Sequence, residues 1–402
     1  MKTSDTRIRT THAGSLVRTA EIVELMIQDR LGERVDEQAY EQALRNGVRD
    51  VVKRQVDVGI DAIDDGEYGK SNWITYLCER IGGLELIKPP EDLEGKIWPE
   101  QERFGDFYQR YAEFESTQWL PDAPSRSRYH GGQIAEYRNA VCTSALKYKP
   151  APLERDIRNF KAALEEVELD EAFMPVVAPC SMEITPNAYY PTQEDYLFAL
   201  ADALSIEYRL IVDAGFLLQV DDAILPMQRF MLFQGKDFGE YHKWAKLRME
   251  ALNHALKGIP EDRVRYHICF GSQNVPHTAD PNLRDIIDLV LTANARAYSI
   301  EASNPRHDHE WQIWRDVKLP AGKLLIPGVV GHATNIVEHP ELVALRLKNF
   351  AELVGRTNVI AGSDCGFSQS WNSPRVHVQV QWAKLQALVE GARLASKQLW
   401  KH

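Results

Sequence analysis

The chain has 402 residues, 44% hydrophobic and 26% charged, with 47 Lys and Arg against 58 Asp and Glu for a formal net charge of −11. That balance disfavours a nucleic-acid partner, which would need a basic stripe, and no apolar run approaches the roughly 20 residues of a membrane span. Five scattered cysteines, an odd number, exclude a disulfide framework and leave reduced thiols free to bind metal.

The opening MKTSDTRIRT has no apolar core behind its charges, so it does not read as a secretory signal. The expectation is a cytoplasmic protein that handles small molecules, with homo-oligomerisation left open.

In chain order, a strand-like run at 8–16 (IRTTHAGSL) comes first. A helix over 36–57 follows, with Tyr40, Leu44, Val48, Val51 and Val52 at helical spacing behind a cap at Asp36. The second strand-like run is 59–67 (GIDAIDDGE). Residues 72–150, with the KPPED turn and the stretch WLPDAPSRSRYHGG at 119–132, lack sustained periodicity and read as an insertion after strand two that covers the mouth of the fold as a lid. Strand-like runs resume at 173–181, 216–222, 263–271, 296–303, 323–331 and 358–366. Between them, Thr192 and Asp195 resemble a capping box for a helix over 192–213. Pro340 opens a helix carrying Leu342, Leu345 and Leu353, and a last helix runs near 376–400. Eight strand–helix units in alternation predict an α/β fold, a single (β/α)₈ TIM barrel over 1–402, with a doubly wound sheet as the competing architecture.

Catalytic groups on such a barrel sit at the C-terminal ends of the strands. Those ends carry His12 and Ser15, Glu67, Cys180 and Ser181, Asp221 and Asp222, His267 and Cys269, Glu301, His332, and Asp364 and Cys365. His267 and Cys269, one residue apart on a strand, point to the same side at a backbone separation of about 6.5–7 Å. With Glu301 ending the next strand and Cys365 the eighth, two thiolates, an imidazole and a carboxylate form a tetrahedral set suited to zinc. Cys78 and Cys142 read as structural, and Cys180 as a buried inert thiol. His307 and His309 read as loop packing, Arg306 as an anion partner at the mouth, and Tyr189, Tyr190 and Trp371 as pocket wall or core.

The patterns HIC at 267–269, IEAS at 300–303 and GSDCGF at 362–367 resemble the catalytic domain of the cobalamin-independent methionine synthases and their relatives, the epoxyalkane:coenzyme M transferases. The resemblance extends to THAGSL (11–16), DDGE (64–67), QVDD (219–222) and PGVVGHATNIVEHPE (327–341). It implies zinc on His267, Cys269, Glu301 and Cys365. Glu67 and Asp221 would hold the ammonium of homocysteine, Gly14 and Ser15 its carboxylate, and His332, matched across a one-residue gap, would be the catalytic acid. No counterpart of the full enzyme's N-terminal barrel is visible, which points to a smaller or protein-bound methyl donor. An alkyl thiol with pKa near 8.5 is mostly protonated at neutral pH, and zinc coordination deprotonates it. Loosening Glu301 would open the position a catalytic zinc needs. The expected function is zinc-dependent methyl transfer to homocysteine or a similar small thiol. The alternatives are addition of coenzyme M or another thiol to an epoxide, and a non-catalytic protein that binds zinc and a thiol.

Overall fold

Eight parallel strands form where the eight apolar runs lie: Arg9–Thr10, Ala62–Ile63, Glu171–Val177, Leu217–Asp221, Val264–His267, Ala297–Glu301, Leu324–Val330 and Ile360–Ser363. The computed structural model describes all residues except 32, 74–75, 87–98, 116–118, 120, 125–139 and 401–402. Its strands pair in the spatial order first, eighth, seventh, sixth, fifth, fourth, third, second. The seam between the first and second is closed by hydrogen bonds outside the ladder. Asp61 donates its N–H to the Thr10 carbonyl at 3.1 Å and accepts the Thr10 N–H on its carboxylate at 2.8 Å. The Thr11 hydroxyl donates to the Ala62 carbonyl at 2.9 Å. The fold is a (β/α)₈ barrel.

The helix ends follow local chemistry. Asp36 accepts from the N–H groups of Gln38 and Ala39 ahead of helix Glu37–Val58, which stops at Gly59 with φ 97°. Thr192 accepts from the Asp195 N–H and donates its hydroxyl to the Asp195 carboxylate, so the short acid closes the cap of helix Gln193–Asp213. Helix Pro340–Val354 begins at Pro340 behind His339, but its Leu342 and Leu345 are 39% and 53% exposed. Its buried row is Val343, Ala344, Leu347, Phe350 and Ala351, because Val343 packs where Gly391 of the final helix, Val378–Trp400, has no side chain. A Cβ at Gly391 would lie 2.4 Å from Val343 Cβ. Among the described residues no helix is long and apolar enough to cross a membrane.

The segment after the second strand has more order than its sequence suggests. Ile81–Leu86 and Ala140–Tyr148 form an antiparallel pair whose register slips between Gly82 and Leu84. Gly83, at φ 96°, would bring a Cβ within 2.8 Å of the opposing backbone. That slip breaks the two-residue alternation by which a strand is recognised. Helices Pro99–Arg103 and Gly105–Glu115 follow the hairpin's first strand, while the KPPED turn and most of 119–132 lie outside the described residues.

Arg80, at the base of the hairpin, donates to Asp156 and Glu207 on helices Ala151–Leu164 and Gln193–Asp213, and its guanidinium lies 4.6 Å from the Tyr76 ring centroid. All three charges are buried. Arg80→Ala would leave two carboxylates without their cation in the interior and should cost about 3–5 kcal/mol. Urea unfolding of the variant measures this, and a loss under about 1 kcal/mol would mean that water or another cation reaches the acids.

Candidate active site

The barrel gathers its ionisable residues at the C-terminal ends of the strands. His267 is the last residue of the fifth strand, with Cys269 two residues on, and Cys365 follows the eighth. Ligating atoms of these three residues lie within 4.8 Å of one another. His267 Nδ1 lies 3.1 Å from the Ser299 hydroxyl, while Nε2 is buried with no hydrogen-bond partner. Burial, then the nearby Arg265, lowers the His267 pKa to about 3, so the ring is neutral and keeps a lone pair. Cys269 is raised well above the ordinary thiol range, first by its hydrogen bond with Cys365 and then by burial. Two adjoining sulfurs and an unbonded imidazole nitrogen are soft and borderline donors that a zinc-like cation satisfies.

Glu301, the expected fourth ligand, ends the sixth strand but does not join this group. Its Oε1 accepts the Phe270 N–H at 2.8 Å and its Oε2 the Asn304 amide at 3.1 Å. Burial, then Asp364, pushes its pKa up to about 7. Asp364 ties the eighth strand to the sixth by accepting the N–H groups of Ala302 and Ser303 and the Ser303 hydroxyl. That approach needs Gly328, where a Cβ would sit 2.4 Å from Asp364 Cα. His332, just past the seventh strand, is buried with neither ring nitrogen bonded. Burial, then the neighbouring His277 and His267, lowers its pKa to about 3, so at neutral pH it is a neutral imidazole with one N–H and one open lone pair, and not an imidazolium.

A second cluster lies across the mouth. Glu67 has φ 59°, a left-handed conformation unfavourable for a residue with a side chain. Arg18 holds the turn by donating to the carbonyls of Glu67 and Lys70. Gly14 lets the Glu67 carboxylate in, since a Cβ there would be 2.6 Å from Glu67 Oε1. Ser15 lies against Gly366, where a Cβ would be 2.2 Å from Ser15 Oγ, and the Phe367 N–H donates to the Ser15 carbonyl. The loop after the first strand thus touches the one carrying Cys365. Asp221, at the end of the fourth strand, accepts from Gln219 and is partly exposed. Burial, then Glu67, holds its carboxyl well above the usual range.

Lys70, His277 and Asp280 escaped the sequence reading, and His307 was read there as loop packing. Lys70 donates to Glu67 at 2.9 Å and to the Pro175 carbonyl at 2.6 Å. His277 and His307 both contact Asp280 Oδ2, at 2.8 and 3.1 Å. His277 Nε2 faces the Gln273 carbonyl and His307 Nδ1 faces Glu310, so every ring nitrogen meets an acceptor and both rings are imidazolium. The His307 ring stacks on Phe270 with centroids 3.8 Å apart. The i,i+3 spacing of His277 to Asp280 and of His307 to Glu310 was the available signal. Arg306 donates to the His277 carbonyl, Tyr189 is 51% exposed, and Cys142, Cys180 and Trp371 are buried.

The insertion reaches this region. Glu100 accepts from the Thr278 hydroxyl and the Ala279 N–H, and the Tyr111 hydroxyl accepts the Asn274 N–H. Its start pairs with the loop after the eighth strand, Trp73 donating its N–H to the Gln369 carbonyl. It therefore grips the loops that follow Cys269 and Cys365.

The cobalamin-independent synthase catalytic domain matches residues 8–97. A protein named methionine synthase from Thermococcus kodakarensis is 22% identical over 357 residues, covering 87% of this chain and 82% of the relative. The chain thus resembles the cobalamin-independent methionine synthases in sequence. An uncharacterised Bacillus subtilis protein, YxjH, is 22% identical over 394 residues, 95% of this chain and 93% of the relative. The fold is shared with a B12-independent methionine synthase from Shewanella, with TM-score 0.69 and 17% identity over 98% of this chain and all of that one. A putative counterpart from Listeria monocytogenes gives TM-score 0.64 and 18% identity over 96% of this chain and 98% of that one. The matched segment 8–97 contains Gly14, Ser15 and Glu67 but none of His267, Cys269 and Cys365.

Burial alone would lower His277 and His307, but their bonds to Asp280, with Glu310 also acting on His307, raise them to about 9 and about 10. Burial would raise Asp280, and the two imidazoliums bring it below its ordinary value. The histidine contribution to stability is full below the unfolded value near 6.5 and is lost as pH rises through 9 to 10. The aspartate contribution is present above about pH 4 and is lost as pH falls through the lowered folded value. Unfolding free energy should therefore decline between pH 7 and 10, and Asp280→Asn should shrink that decline. Urea titrations at pH 6.5 and 9.5 measure it, and an equal decline in the variant would show that other groups cause it.

Proposed function

We propose that the chain is a zinc-dependent methyltransferase acting on the thiol of homocysteine or a similar small amino-thiol in the cytoplasm. The observation that carries this reading is the convergence of His267, Cys269 and Cys365 within 4.8 Å, with the His267 Nε2 lone pair unused. Zinc, when bound, supplies the positive charge that holds a thiol as its nucleophilic thiolate at neutral pH. His267, Cys269 and Cys365 would hold it, and Glu301, tethered by Phe270 and Asn304 beside them, would be the fourth and exchangeable ligand.

The remaining roles fall to this chain's own groups. Asp221 and Glu67 bind the ammonium of the thiol, and Gly14 and Ser15 its carboxylate, at a loop that touches the Cys365 segment and so orients sulfur toward the ligand cluster. His332 is neutral with an unbonded ring nitrogen; a negative charge arriving beside it would raise its pKa, so it is assigned proton transfer at that nitrogen. The insertion, 72–150, is the lid, fastened to the loops after the fifth and eighth strands, and it excludes water from the mouth. The name of the Thermococcus relative, whose length the chain largely spans, supports methionine formation over epoxide opening. Coenzyme M, which lacks an ammonium, would leave Asp221 with the neutral Gln219 amide and no cation.

Purified protein should contain about one zinc per chain, and Cys269→Ser and Cys365→Ser should lose most of it, because a hydroxyl replaces a soft thiolate. Metal analysis measures this, and a zinc-free wild type with full thiol-alkylating activity would sink the mechanism. Asp221→Asn should weaken homocysteine binding roughly ten- to hundredfold in calorimetry, since a charged hydrogen bond contributes about 1.5–3 kcal/mol. Coenzyme M binding tighter than homocysteine would favour epoxide opening instead.

A further inference from the structure

The carboxylate pair proposed to receive the thiol's ammonium already contains an ammonium. Lys70 contacts Glu67 Oε2 and the Pro175 carbonyl, and its third side faces the Tyr76 ring at 4.6 Å. Lysine and glutamate side chains are both nearly fully buried. With each face of the ammonium engaged, Lys70 is a fixed part of the wall and does not swing out to bind substrate itself. The other cations nearby spend their hydrogen bonds elsewhere: Arg265 on the Thr11 hydroxyl and the His12 carbonyl, and Arg18 on backbone carbonyls and Ser368. Glu67 is thus neutralised from behind, whereas Asp221 is partly exposed and accepts a hydrogen bond from the neutral Gln219 amide.

We propose that Lys70 is a specificity-determining residue: by pairing with Glu67 from within the fold it leaves Asp221, which makes no ion pair among the described residues, as the one acid of the two that is open to the thiol. A subsite with one open charge suits a zwitterionic amino-acid thiol, whose carboxylate a doubly negative pocket would repel. A thiol bearing only an ammonium would instead prefer the doubly negative pocket. This inference rests on the amino-thiol reading above, and its test separates the two.

Zinc-loaded wild type, Lys70→Met, Lys70→Arg and Glu67→Gln would be titrated calorimetrically with homocysteine and with its decarboxylated analogue, aminopropanethiol. Wild type should prefer homocysteine. Lys70→Met should shift the ratio of the two dissociation constants roughly tenfold or more toward the analogue, the scale of one unscreened charge at short range. Lys70→Arg should keep the wild-type ratio. Glu67→Gln, which leaves the lysine charge unopposed, should shift the ratio the other way, and it tests the inference even if Lys70→Met fails to fold. Equal weakening of both thiols in Lys70→Met, or shifts of the same sign in Lys70→Met and Glu67→Gln, would reduce Lys70 to a structural residue and overturn the inference alone. Wild-type binding of neither thiol would overturn the amino-thiol reading and this inference with it.

Discussion

Charge withdrawn from water has to be answered at close range, and the arrangement of the barrel mouth follows from that requirement. Three buried acids each have their own answer. Glu67 takes an ammonium, Asp280 takes two imidazoliums, and Asp364 takes two N–H groups and a hydroxyl. Two of these contacts require the absence of a side chain, at Gly14 beside Glu67 and at Gly328 beside Asp364. The sulfur pair differs, because Cys269 and Cys365 meet each other and otherwise only neutral donors, the Gly271 N–H and the Gln369 amide, and two thiolates side by side cannot both persist without a cation. The group that lacks an internal answer is the one whose donors suit a metal.

The eight strands were legible because each is buried on both faces and reads as a short apolar run ending in polar residues. Caps at Asp36 and Thr192 marked helix starts for the same local reason that they form in the fold. His267, Cys269 and Cys365 could be brought together from the strand order alone. The direction of the Glu301 carboxylate could not, because it is set by the Phe270 N–H and Asn304, groups on loops with no periodic signal. Lys70 was invisible for a related reason: a lysine three residues after a glutamate reads as a solvated pair, and only the Tyr76 ring and the Pro175 carbonyl make it interior. Leu342 and Leu345 misled because helical spacing identifies a row of side chains without saying that it faces inward.

The His267, Cys269 and Cys365 cluster and the acidic cluster are built from different strands, yet neither is independent of the other. Ser15 against Gly366 joins the loop that borders Glu67 to the loop that carries Cys365. A small thiol held at one end by charge and at the other by sulfur would have its length read by the distance between the two clusters, and that distance is set by backbone contact and not by mobile side chains.

The grip of Glu100 on Thr278 and Ala279, and of Tyr111 on Asn274, joins the insertion to a loop more than 160 residues further along the chain. Barrel enzymes diversify by exchanging loops on a fixed scaffold, which presumes that each loop is a separable part. Here the separable part is a pair of segments, 99–111 together with 271–282. Transplanting the insertion alone between relatives would deliver a carboxylate with no hydroxyl or N–H to receive it, and would leave the loop behind Cys269 without the partner that shapes it. Divergence of substrate range in this fold would therefore proceed by coordinated change at two places in the sequence.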